Sequence, residues 1–160
     1  GGRYDVIKVL DFGLVNSLRA DSVEPPVDHP ERVTGTPLYM SPEQATADPR
    51  LDPRSDLYAL GAVAYFLLLG RPPHQGDTPL RVMSAVAREP VMAPSQLRAD
   101  VPDDLERVIL RCLAKDPLDR YPSAEALGLA LASCSCSRDW NASAAFSWWR
   151  SHEPDALART

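Results

Sequence analysis

The chain has 160 residues, 44 % of them apolar, and a formal net charge of −5. That length suits one ordinary domain, and the apolar share supplies a core, which excludes a disordered chain. The acidic balance and the lack of any basic block speak against nucleic acid as a partner and give no support for docking on an anionic membrane.

The first residue is Gly1, with no charged and apolar leader behind it, so the expectation is a polypeptide whose upstream portion is missing. Residues 4–10 are rich in Val and Ile and predict a short strand. That strand runs into Asp11-Phe12-Gly13. Residues 15–35 show no period and hold three prolines and Gly35, so they read as a long loop, a feature that is often functional. Ser41 followed by Pro42, Glu43 and Gln44 opens a short helix with proline in its first turn. Asp52-Pro53 and Ser55 lead into an apolar helix that closes at Gly70. Its uncharged run, residues 57–69, is short of the ~20 residues that cross a bilayer, so it predicts a buried helix and no membrane segment.

Three further helices follow. Thr78 or Asp77 caps PLRVMSAVAR, Pro102 opens PDDLERVILRCLAK, and Ser123 caps AEALGLALA. In the second, Leu105, Val108, Ile109, Cys112 and Leu113 keep the spacing of an amphipathic face. RDWNASAAFSWWR carries Trp140, Trp148 and Trp149 and predicts a short docking helix before a frayed tail. Cys112 falls among core positions, whereas Cys134 and Cys136 form a lone C-x-C without the further ligands a metal needs. An odd cysteine count without framework spacing points to reduced thiols and an intracellular, cytoplasmic setting. His29, His74 and His152 are isolated and read as surface residues. The fold class is mainly α with a short β entrance.

Four landmarks in order carry a resemblance: Asp11-Phe12-Gly13, GTPLYMSPEQ, RSDLYALGAVAYFLLLGRPP and CLAKDPLDRYPSAEAL. Together they resemble the eukaryotic-type serine/threonine protein kinases, in style the bacterial members, whose signature includes Asp-Phe-Gly and Ala-Pro-Glu. Here Ser41-Pro42-Glu43 has Ser in place of Ala. The resemblance covers residues 5–132, reaching toward 150, and implies the C-lobe portion of the α+β kinase fold with the N-lobe absent. It divides the chain into a strand and Asp-Phe-Gly segment (4–13), an activation segment (14–44), a helical subdomain (45–132), a Trp-rich docking segment (138–150) and a tail (151–160).

The resemblance also implies roles. Asp11 chelates Mg²⁺ on the phosphates of ATP, Phe12 packs inward and Gly13 permits the turn. Thr36 hydrogen-bonds the catalytic aspartate, and with Pro37, Leu38 and Tyr39 it lines the substrate pocket; the plain alternative for Thr36 is a turn residue. Thr34 and Ser22 are candidate phosphate acceptors, with Arg32 and Arg19 in the same loop. Glu43 and Arg120 form a structural ion pair. Asp56 supports a catalytic loop or, without one, only the N-terminus of its helix.

The sequence has no glycine-rich G-x-G-x-x-G, no His-Arg-Asp, and only Lys8 and Lys115 as lysines. The implied enzyme transfers the ATP γ-phosphate to protein Ser or Thr, but this chain alone, without its N-terminal half, is expected to be inactive. It is further expected to expose an apolar patch on the helix of residues 55–69. The alternative is a non-catalytic degenerate module that binds protein partners through its last helices and tryptophans. An unrelated helical protein would need all these landmarks to coincide by accident.

Overall fold

The computed structural model describes residues 37–152. Residues 37–138 belong to one compact unit and 139–152 to a second. The described residues form six α-helices and no strand: α1 (Pro42–Ala45), α2 (Arg54–Leu69), α3 (Pro79–Arg88), α4 (Asp103–Cys112), α5 (Ala124–Ala132) and α6 (Ala142–His152). Single 3₁₀ turns cover Pro37–Tyr39, Pro94–Gln96, Pro117–Asp119 and Ser135–Arg138. The strand expected over residues 4–10 and the tail beyond 152 lie outside the described residues.

Local chemistry sets most of the helix starts. Ser41 and Gln44 make a reciprocal capping box, the Gln44 amide donating to Ser41 Oγ and the Ser41 amide to Gln44 Oε1. Thr78 Oγ1 accepts from the Arg81 amide and Ser123 Oγ from the Ala126 amide. Gly70 ends α2 in the left-handed region at φ 70°, where a side chain is disfavoured.

In the first unit α2 is the axis. One side of it joins Tyr58, Ala62 and Tyr65 to Val82 and Val86 of α3 and to Ile109 and Leu113. The other joins Leu57 to Val108, Cys112, Tyr121, Leu127 and Cys134. Gly61 is what lets α2 approach α4, because a Cβ there would meet the Cys112 Cβ at 2.5 Å. Asp104 of α4 accepts from the Ser135 amide at 2.6 Å, holding the last turn of this unit to that helix.

Two expectations need correction. The helix opened by Pro102 stops at Cys112 instead of running to Lys115. The Ala114 and Lys115 carbonyls accept hydrogen bonds from Arg120, at 2.8 and 3.0 Å, and Pro117 disfavours helical backbone just before it. Nor is α2 enclosed on every face: Leu60 is 50 % and Leu67 77 % exposed, with Val63 and Phe66 also open. That is the apolar patch the sequence led us to expect.

The second unit is described by α6. Asn141 Oδ1 accepts from the Ser143 and Ala144 amides and caps it. Trp148 meets Trp149 edge to face at 5.0 Å and stacks on the His152 ring at 4.1 Å.

Candidate functional site

The most elaborate polar construction surrounds Arg120, which is 1 % exposed. A guanidinium offers five N–H donors in a fixed fork. Its Nη1 and Nη2 donate to the two carboxylate oxygens of Glu43 at 2.7 and 2.8 Å. Nε donates to the Ala114 carbonyl at 2.8 Å, Nη1 also to the Arg54 carbonyl at 3.1 Å, and Nη2 also to the Lys115 carbonyl at 3.0 Å. The bidentate fork and the three carbonyls together use every donor. Ser55 Oγ adds a 2.6 Å bond to Glu43 Oε1, and the Tyr58 ring lies 5.1 Å from the guanidinium carbon. Burial pushes the Glu43 carboxyl up, but the bonds from Arg120 and Ser55 outweigh it and hold the group down at about 2.

This cluster fixes α1 to the start of α2 and to the segment before α5. Glu43 and Arg120 are thus brought together by the fold, and Ser55 and Tyr58 are additions that the sequence did not single out. No local pattern marks either: Ser55 reads as a helix-start residue and Tyr58 as one apolar position among many.

The chain before α1 is held by the same unit. The Pro37–Tyr39 turn packs against α2 and α3, with Leu38 and Tyr39 on the apolar core and Tyr39 edge to face with Phe66 at 6.4 Å. Asp56 lies exposed in the first turn of α2, where negative charge is favoured. Asp11, Ser22, Thr34 and Thr36 lie outside the described residues. Among the described residues no group of three His, Cys, Asp or Glu could hold a metal ion.

A cleft of about 610 Å³ opens beside the ion pair, lined by Glu43, Thr46, Arg50, Ala87, Lys115 and Leu118 among others. At Lys115 another expectation fails: His74 is not a surface residue but is only 5 % exposed. Its Nε2 lies 3.0 Å from Lys115 Nζ, which also donates to the Val86 carbonyl. Burial and the Lys115 charge push His74 down to about 4, against Glu89. Burial and Arg120 push Lys115 down to about 8, again against Glu89. No local pattern marks this pair, since its members are 41 residues apart.

The three cysteines are free, Cys112 and Cys134 buried and Cys136 half-buried. Burial pushes the Cys112 thiol up to about 11, so it behaves as core and not as a nucleophile. No helix among the described residues is long and apolar enough to cross a membrane.

Comparison with known proteins gives this arrangement a context. The family described as protein kinase domain matches residues 2–130. The serine/threonine-protein kinase PknB of Mycobacterium leprae is 43 % identical over 120 residues, 75 % of this chain and 19 % of that protein. A probable serine/threonine-protein kinase of Streptomyces coelicolor is 35 % identical over 143 residues, 89 % of this chain and 21 % of that protein. One from Clostridium acetobutylicum is 37 % identical over 120 residues, 75 % of this chain and 18 % of that protein. The chain therefore spans about a fifth of the length of the curated relatives it matches. With the family matched over most of its residues, and with bacterial serine/threonine kinases among its relatives, the chain belongs to the protein kinase domain family.

Proposed function

We propose that these residues are the carboxy-terminal portion of the catalytic domain of a serine/threonine protein kinase, and that the 160-residue chain is inactive by itself. The observation that carries this reading is the buried, bidentate Glu43–Arg120 pair, which ties the Ser-Pro-Glu segment to the residues before α5. That is where the resemblance requires a structural tie between the end of an activation segment and the last helices.

On this reading Pro37, Leu38 and Tyr39, with Thr36 ahead of them, form a substrate-facing wall braced by α2 and α3. Thr34 and Ser22 would be phosphate acceptors on the loop before it. Asp56 would support a catalytic loop from the first turn of α2. In the complete enzyme Asp11 would hold the Mg²⁺ of ATP, and a Ser or Thr of a protein substrate would receive the γ-phosphate. Phosphoryl transfer depends on positioning and charge stabilisation by several groups at once. The 160 residues contain neither the glycine-rich loop nor the His-Arg-Asp that would supply them.

The test joins the chain behind the amino-terminal half of the catalytic domain of the Mycobacterium leprae relative. With Mg-ATP and a generic protein substrate, the chimera should form phosphoserine or phosphothreonine. Asp11→Ala should abolish this, and the 160-residue chain alone should form none. A folded chimera without transfer would refute the kinase reading, and one making only phosphotyrosine would refute its serine/threonine specificity. The first of those outcomes would favour a non-catalytic module, for which the half-exposed Trp148 and exposed Trp140 supply aromatic surface.

A further inference from the structure

Lys115 and the His74 in contact with it have chemistry that the kinase reading does not use. Lys115 lines the cleft and is half-buried. His74 is fully buried behind it, at 3.0 Å from the amine nitrogen. The charged groups acting on Lys115 are Arg120 and Glu89, and those acting on His74 are Lys115 and Glu89. Arg120 and the low-polarity setting both disfavour the ammonium, which leaves a much larger share of free amine at neutral pH than a solvated lysine has. A neutral imidazole with Nδ1 protonated presents Nε2 as an acceptor. A desolvated amine beside a second cationic group is the arrangement that makes lysine a nucleophile.

We propose that Lys115 is an acyl-acceptor site whose amine takes the acyl group of a small activated thioester, with His74 and the Val86 carbonyl orienting that amine toward the cleft. Lys115 Nζ attacks the acyl carbon, a C–N bond forms and the C–S bond breaks. The thiolate leaves with the electron pair, and the proton on nitrogen passes to solvent water in the cleft. The product is an uncharged amide with a single N–H. It cannot donate to both the Val86 carbonyl and His74 as the ammonium does. Acylation should therefore loosen α3 from the segment after α4.

The chain suits the experiment because Lys8 is its only other lysine. The 160-residue chain is exposed to S-acetyl-N-acetylcysteamine, treated with hydroxylamine to clear acyl groups from cysteine, and analysed by mass spectrometry. The reference is an N-acetylated peptide of residues 113–120, which contains the same lysine and no cysteine. At pH 7.5 the folded chain should acetylate at Lys115 at least about tenfold faster than the peptide, with the rate levelling off above about pH 8.5. His74→Phe removes an acceptor that orients the amine and should lower that rate about tenfold while melting remains cooperative. A rate at or below that of the peptide, or one still climbing through pH 10, would overturn the proposal without any variant. An unchanged rate in a folded His74→Phe chain would overturn the role of His74 and with it the paired site.

Discussion

Arg120 is satisfied in a way no other residue can copy. Its five N–H groups all have acceptors, four of them at 3.0 Å or less. Lysine has three donors and no fork, so Arg120→Lys should lower the unfolding free energy nearly as much as Arg120→Ala. Arg120→Ala should cost about 3–5 kcal/mol because Glu43 is left as a buried charge, and Arg120→Lys approaches that loss because it leaves buried acceptors without donors; urea titration with an unchanged slope measures this, and a loss within error of zero would contradict it. Acid should act through the same carboxylate. The folded-state value for Glu43 is about 2 against an ordinary 4.5, so as pH falls between those values the unfolded chain takes up the proton first. Stability present above pH 4.5 is then lost, by roughly 3 kcal/mol when titration is complete. His74 adds an earlier leg of the same sign, between its ordinary 6.5 and about 4, since its buried ring is held neutral. Melting temperature against pH should fall in both windows, and His74→Phe should remove only the upper one.

The elements differ in how much of them the sequence disclosed. Ser123 was legible as a cap, Thr78 as one of two candidates with Asp77, and Ser41 as a helix start, because each bonds an amide three residues on, a distance fixed by helix geometry. The end of α4 was not legible, because what stops it is a guanidinium arriving from Arg120. The Glu43–Arg120 pair was legible through resemblance alone; charge pattern by itself does not pair residues 77 positions apart. The burial of His74 was invisible for the same reason. Packing of α2 on α4 gives a prediction at this scale. Alanine is a better helix former than glycine by ~1 kcal/mol, yet Gly61→Ala should destabilise, since its Cβ would fall 2.5 Å from the Cys112 Cβ. Cys112→Ala keeps that Cβ and should not relieve the clash, whereas Cys112→Gly in the same chain should recover part of the loss. Chemical denaturation of the four chains separates these outcomes, and a Gly61→Ala chain more stable than the parent would rule out the close crossing.

At the scale of the molecule the open face of α2 dominates. Leu60 and Leu67, with Val63 and Phe66 near them, present apolar surface to solvent, and such surface promotes self-association. Leu67→Glu with Leu60→Gln should lower light scattering at a given concentration and leave the melting temperature nearly unchanged, because neither side chain is in the core. An unaltered scattering curve would mean that association, if present, uses another surface. The tie made by Arg120 also orders events in time. Glu43 is synthesised 77 residues before its counter-charge, so α1 and the start of α2 must wait, solvated and unsealed, until that later segment exists. A ribosome stalled ahead of the Arg120 codon should therefore hold a nascent chain whose first helices are still open to protease, and elongation far enough to bring Arg120 clear of the ribosome should close them.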